Sequence, residues 1–126
     1  MKFYICNHCH NIIAYVNASG VPVVCCGEEM QEIIPNTVDA TAEKHAPMIN
    51  VDGQKITVHV GSVSHPMFAE HYIMWISLET KQGYQRKTLK AGMEPSAEFM
   101  ICEYDEIIAA YAYCNLHGLW KSEEKK

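Results

Sequence analysis

Beyond about residue 37, apolar and polar side chains alternate with a period of two. KITVHVG, Lys55 to Gly61, places Ile56, Val58 and Val60 on one face of a strand, and HYIMWISLE, from Tyr72 onward, alternates similarly. AEFMICEY (Ala97 to Tyr104) and IIAAYAYC (Ile107 to Cys114) add two runs rich in β-branched and aromatic residues. Turn signals at Asp52-Gly53, Gln82-Gly83, Gly92 and Pro95 separate the runs. Helix-period patterns are weak; IIAAYAYC could be read as a helix, but its composition is that of a strand. Short strands at this spacing predict an antiparallel β-sandwich. Cys102, on one of the runs, is expected as a small buried hydrophobe.

The first 36 residues have a different character. They hold four of the six cysteines, as CNHC (Cys6 to Cys9) and the pair Cys25-Cys26. Between them YVNASGVPVV offers two short strand-like pieces around a turn at Ser19 and Gly20. A segment this small cannot bury enough apolar surface to fold unaided, and four thiolates on one ion would supply the missing stability. Neighbouring residues on a strand point to opposite faces, so Cys25 and Cys26 can reach one ion only if the backbone bends there, which Gly27 permits. Zinc and iron both accept four thiolates, so the spacing does not choose between them. The predicted organisation is a metal domain over residues 1–36 and a β domain over residues 37–126.

Charge narrows the function classes. The net charge is −5, and the lysines and arginines are scattered apart from Arg86, Lys87 and Lys90, so the basic stripe that nucleic acid requires is missing. No apolar segment is long enough to span a bilayer, and MKFYICNHC lacks the apolar stretch of a signal peptide. A cytoplasmic address is expected. Thiols there are kept reduced, so cysteines at metal-like spacing read as ligands or free thiols rather than disulfides. KSEEKK, Lys121 to Lys126, reads as a solvated, frayed end.

The seven histidines add a second constellation. His45 lies in EKHAP, His65 in SVSHPMF, His71 in EHYIMW, and His117 in YCNLHGLW, three residues after Cys114. His65 and His71 flank the turn into a strand, so both can face one end of the sheet. His8, His10 and His59 read as ordinary exposed or hydrogen-bonding histidines. Cys114 with His117 admits three readings: core packing, a nucleophile with its base, or a metal pair. The second needs an orienting group and an oxyanion hole, neither of which is recognisable. The third needs more ligands, and the loops carrying His45, His65 and His71 offer them.

CNHC…CC, TVDATAEKHAP, HVGSVSHPM, EHYIMWISL and YCNLHGLWK, in that order, resemble the desulfoferrodoxin class of superoxide reductase over essentially the whole chain. The resemblance implies an all-β protein: a small rubredoxin- or desulforedoxin-like domain, then an immunoglobulin-like sandwich of the neelaredoxin kind, usually in a homodimer. It implies two irons per chain. Cys6, Cys9, Cys25 and Cys26 would hold one; His45, His65, His71 and His117 would hold the other in a plane, with Cys114 as axial ligand. Glu43 and Lys44 would flank an open sixth position, Glu43 closing it in the resting oxidised state. Five ligands argue against structural zinc, which closes at four. The implied activity is one-electron reduction of superoxide to hydrogen peroxide, with electrons from an external donor such as rubredoxin. The alternatives are a rubredoxin-like electron carrier without catalytic superoxide consumption, a dismutase, and a zinc-binding structural module. One departure is visible: His10 follows Cys9 where relatives commonly have Gly, and His tolerates φ > 0 only at some strain.

Overall fold

The sequence supplies few apolar side chains before residue 35, and the secondary structure there is correspondingly short. The computed structural model describes residues 1–38 and 40–124 and divides into two units, Met1–Ile34 and Pro35–Lys126. In the first unit, β1 (Phe3–Ile5) pairs antiparallel with β2 (Ile12–Ile13) and β5 (Gln31–Ile33), while β3 (Val24–Cys25) and β4 (Glu28–Glu29) form a hairpin. Its buried side chains, among the described residues, are Phe3, Cys6 and Met30. The two strand-like pieces expected in YVNASGVPVV do not form. That stretch is irregular up to β3, with Val16 and Val21 exposed, because no neighbouring strand is available to pair with it or cover it.

The second unit opens with a single helical turn, α1 (Ala42–His45), and continues as seven strands. These are β6 (Pro47–Asp52), β7 (Lys55–Val60), β8 (Ile73–Thr80), β9 (Gly83–Thr88), β10 (Ser96–Met100), β11 (Ile107–Cys114) and β12 (Gly118–Glu123). They make two antiparallel sheets, ordered β10-β7-β6 and β12-β11-β8-β9. The expected face of β7, Ile56, Val58 and Val60, is fully buried against Ile76 and Leu78 of β8 and Ala110 and Ala112 of β11. The all-β reading holds, with the core between the two sheets.

Two further expectations need correction. AEFMICEY stays in strand only to Met100; Cys102 then enters a turn closed by Asp105 N–H onto its carbonyl, and its side chain is exposed rather than buried. Residues Lys121 to Glu123 are not a frayed end but the last part of β12, paired with Tyr111 to Ala109 of β11. Lys125 and Lys126 of that run lie outside the described residues.

At one end of the sandwich β6 begins, β7 ends, β8 begins, and β11 turns into β12. α1, the segment between β7 and β8, and the hairpin loop Asn115-Leu116-His117 are thereby collected there. The β8–β11 register slips at this end: Tyr113 faces Trp75, but Cys114 faces Ile73. A bulge of this kind re-aims side chains, and here it accompanies a fully buried Cys114. No helix among the described residues is long and apolar enough to cross a membrane.

Candidate metal centres

In the first unit, one sulfur from each of Cys6, Cys9, Cys25 and Cys26 lies within 4.8 Å of the others. Cys6 and Cys9 share a tight turn: the His10 N–H donates to the Cys6 carbonyl at 2.9 Å, and the Cys9 N–H donates to the Cys6 sulfur at 3.5 Å. His10 itself has φ 66, so the position does require the left-handed region that Gly would occupy more freely. The adjacent pair is resolved by a two-residue hairpin loop in which Cys26 and Gly27 both have positive φ, 53 and 79. Cys25 ends β3 and Cys26 turns back over it.

The second unit gathers five side chains. His45 comes from α1, His65 and His71 from the segment before β8, Cys114 from the end of β11, and His117 from the hairpin loop. The four rings form a closed circuit with centroid separations of 4.7 Å (His45–His65), 4.7 Å (His65–His71), 5.0 Å (His71–His117) and 4.8 Å (His117–His45). The opposite pair His45–His71 is 6.3 Å apart. The four sides are nearly equal, and this diagonal is close to that of a square of such sides. The Cys114 sulfur groups within 4.8 Å of one ring nitrogen from each of His45, His65 and His71, and lies 3.9 Å from His117 Nδ1.

Hydrogen bonds define which nitrogens face inward. His45 donates from Nδ1 to the Thr41 carbonyl at 2.7 Å, and His65 from Nδ1 to the Pro66 carbonyl at 2.6 Å. Their Nε2 atoms are therefore left with lone pairs. Nε2 of His65 and of His71 are buried without any partner. Burial holds all three of these imidazoles below their ordinary range, His65 down to about 4. Burial also pushes the Cys114 thiol up, against the N–H groups of Leu116 and His117 that favour its thiolate.

Orphaned buried nitrogens aimed at one another, beside a thiol, are what a metal ion would satisfy. Two nitrogens each about 2.1 Å from one ion lie about 3.0 Å apart at right angles and about 3.4 Å apart at the tetrahedral angle. His45 Nε2 and His117 Nδ1 are 3.0 Å apart, which suits a square array of donors. Two thiolates each about 2.3 Å from an ion at the tetrahedral angle lie about 3.8 Å apart. The Cys9 and Cys25 sulfurs are 3.6 Å apart. Backbone N–H groups of Cys9 and His8 hold the Cys6 thiol down to about 6, whereas the crowding sulfurs of Cys6, Cys9 and Cys25 push Cys26 up to about 12. The neighbouring sulfurs favour the thiol form of Cys25 and Cys26, and a cation held there would favour their thiolates instead. Both donor sets suit iron, one offering four sulfurs and the other four imidazoles and one sulfur.

The desulfoferrodoxin family profile matches residues 37–123, which contain the whole second centre. The chain belongs to the desulfoferrodoxin family. It is 45% identical over 122 residues to a desulfoferrodoxin homolog of Archaeoglobus fulgidus, covering 97% of this chain and 96% of the relative. It is 44% identical over 122 residues to the desulfoferrodoxin of Nitratidesulfovibrio vulgaris, covering 97% and 95%. Among solved structures, the superoxide reductase of Treponema pallidum superposes with a TM-score of 0.82 at 37% identity, over 97% of this chain and 98% of that one. The two donor sets are those of a two-iron desulfoferrodoxin.

Within this desulfoferrodoxin, the square of imidazoles is deep on one side and accessible on the other: His45 and His65 are buried, His71 and His117 half-buried. Glu43 and Lys44 are both exposed on α1. The Lys44 charge is felt at the His45 and His71 rings, and that of Glu70 at His71. α1 is fixed by the turn after β7: Gly61 N–H donates to the Ala46 carbonyl, and Val63 N–H and the Ser62 hydroxyl donate to the backbone carbonyl of Glu43. Sequence reasoning gave no role to Trp120. Its indole stacks on His45 with centroids 5.0 Å apart, and its Nε1–H donates to the His117 carbonyl at 3.1 Å. Its place just after NLHG is the signal that could have found it.

Proposed function

We propose that this protein is a superoxide reductase, which converts superoxide, one electron and two protons into hydrogen peroxide at the histidine–cysteine centre. An external donor of the rubredoxin type returns the electron. The observation that carries this reading is the square of four imidazoles beside one buried thiol, with an exposed lysine whose charge reaches the rings. His45, His65, His71, His117 and Cys114 would hold an iron, which would supply the electron and a place for superoxide to bind.

The remaining work falls to the chain. The carbonyl bonds of His45 and His65 fix their tautomers and keep the Nε2 lone pairs directed inward. Cys114, as thiolate, would donate electron density to an iron held there, and the N–H groups of Leu116 and His117 would temper that donation. A protein of net charge −5 repels an anion, so the Lys44 ammonium draws superoxide to the centre and orients the water that delivers a proton. Glu43, exposed on the same turn, would offer its carboxylate to an iron held by these ligands. The six cysteines are free, which suits the reducing cytoplasm, and the working form by family resemblance is a homodimer.

Stoichiometry tests the activity. With reductant and a rubredoxin-type donor present, one peroxide is expected per superoxide consumed. A dismutase would give one for two without a donor, and an electron carrier would give no catalytic consumption; either result overturns the reading.

A further inference from the structure

His71 is held differently from its neighbours. His45 and His65 are each oriented by a carbonyl at Nδ1, whereas no hydrogen bond reaches the His71 ring from the described residues, and its Nε2 is buried. The backbone on both sides of His71 is gripped instead by a side chain of another loop. Asn115 accepts the Tyr72 N–H at Oδ1 (2.9 Å) and donates from Nδ2 to the Glu70 carbonyl (3.0 Å). Its own N–H donates to the Tyr72 carbonyl at 3.2 Å. Residues 70 and 72 are therefore tied to a residue that stands between Cys114 and His117.

We propose that Asn115 is a positioning residue for the histidine–cysteine centre: its amide fixes where His71 stands relative to Cys114 and His117. It takes the place of the carbonyl bond that orients His45 and His65. The amide is chemically specific for this, since one end must accept from an N–H and the other must donate to a carbonyl. An aspartate keeps the first bond and sets a carboxylate against the Glu70 carbonyl; an alanine keeps only the backbone bond. The inference rests on the reading of these five residues as ligands of one metal, and not on any step of superoxide reduction.

The test is competition for ferrous iron between the full-length protein and a chelator, with the visible absorption of the four-cysteine centre as internal reference. Asn115→Ala is expected to weaken iron binding at the histidine–cysteine centre by about 10- to 100-fold and Asn115→Asp by an intermediate factor, the four-cysteine absorption being unchanged. Thr80→Ala removes the 2.7 Å bond to Asp105 at the far end of β8 and serves as a control for general destabilisation. It is expected to lower the unfolding midpoint and leave iron affinity within twofold of the parent. Parental affinity in both Asn115 variants, or an equal loss in Thr80→Ala, overturns the proposal. A parent protein that binds iron at this centre yet consumes no superoxide overturns the proposed activity and leaves the Asn115 result standing.

Discussion

Trp120 lies flat against His45, the two rings inclined at 25°, while the same indole donates to the carbonyl of His117. One side chain, only 4% exposed, thereby sets two ligands from different elements. Trp120→Phe keeps a ring face and loses the hydrogen bond, a loss of about 1 kcal/mol in denaturant unfolding. Trp120→Ala removes both and leaves a cavity, for about 3–5 kcal/mol, with a changed visible spectrum of the histidine–cysteine centre. An alanine variant with parental stability and spectrum would remove Trp120 from the account of the centre.

Lys44 is exposed on α1 of a chain of net charge −5, and its charge is felt at the His45 and His71 rings. Lys44→Ala is expected to slow the second-order reaction with superoxide by about tenfold and to flatten its dependence on ionic strength, while Lys44→Arg retains both. Glu43→Ala should leave that rate unslowed and alter the oxidised spectrum and its pH dependence. Pulse radiolysis over a range of salt concentrations measures the rates; equal rate and equal salt slope in Lys44→Ala would refute the steering role.

How far the sequence could be read follows from which physical signal each residue carries. Ile56, Val58 and Val60 alternate because one face of β7 is covered, so period-two patterning finds them. GYQRKT in β9 is exposed at nearly every position; it is a strand only because β8 offers a partner, a tertiary fact that no local pattern records. The bend at Cys25-Cys26 was legible through Gly27, yet it begins one residue earlier, at Cys26, because the hairpin loop needs two positive φ values in succession. The ligand histidines stand out as motifs. That His117 faces His45 with Nδ1 depends on the shape of the loop closing at Gly118, which only the fold displays.

Gly61 is a steric requirement of the site. At φ +86, a Cβ there would fall 2.3 Å from the Val63 carbonyl oxygen and 2.8 Å from that of Lys44, so α1 would have to move. Gly92 has a similar φ of +89 with nothing within 4 Å. Gly92→Ala should therefore cost only the backbone strain, about 1–2 kcal/mol, and leave iron content intact. Gly61→Ala is expected to cost about 3 kcal/mol or more and to lower the iron content of the histidine–cysteine centre. Equal unfolding midpoints for the two variants would argue against the docking of α1 on this turn.

Removing the metal should expose the protonation balance of the ligands. Burial holds His65 down to about 4 and lowers His45 and His71, whereas an imidazole in the unfolded chain titrates near about 6.5. Between those values the unfolded chain binds protons that the folded one refuses, so stability is fully present above about pH 6.5 and is lost as pH falls toward about 4. His65 alone accounts for up to about 3 kcal/mol of that loss. Both tryptophans, Trp75 and Trp120, lie in the Pro35–Lys126 unit, so their fluorescence follows its unfolding. In chelator-stripped protein the urea midpoint should fall steadily from pH 7 to pH 4.5, and His65→Asn should reduce the slope. Bound iron competes with these protons, so the loaded protein should keep a flat midpoint further into acid before it declines. A stripped protein whose midpoint is unchanged across the window would mean that the three rings are not held neutral by burial.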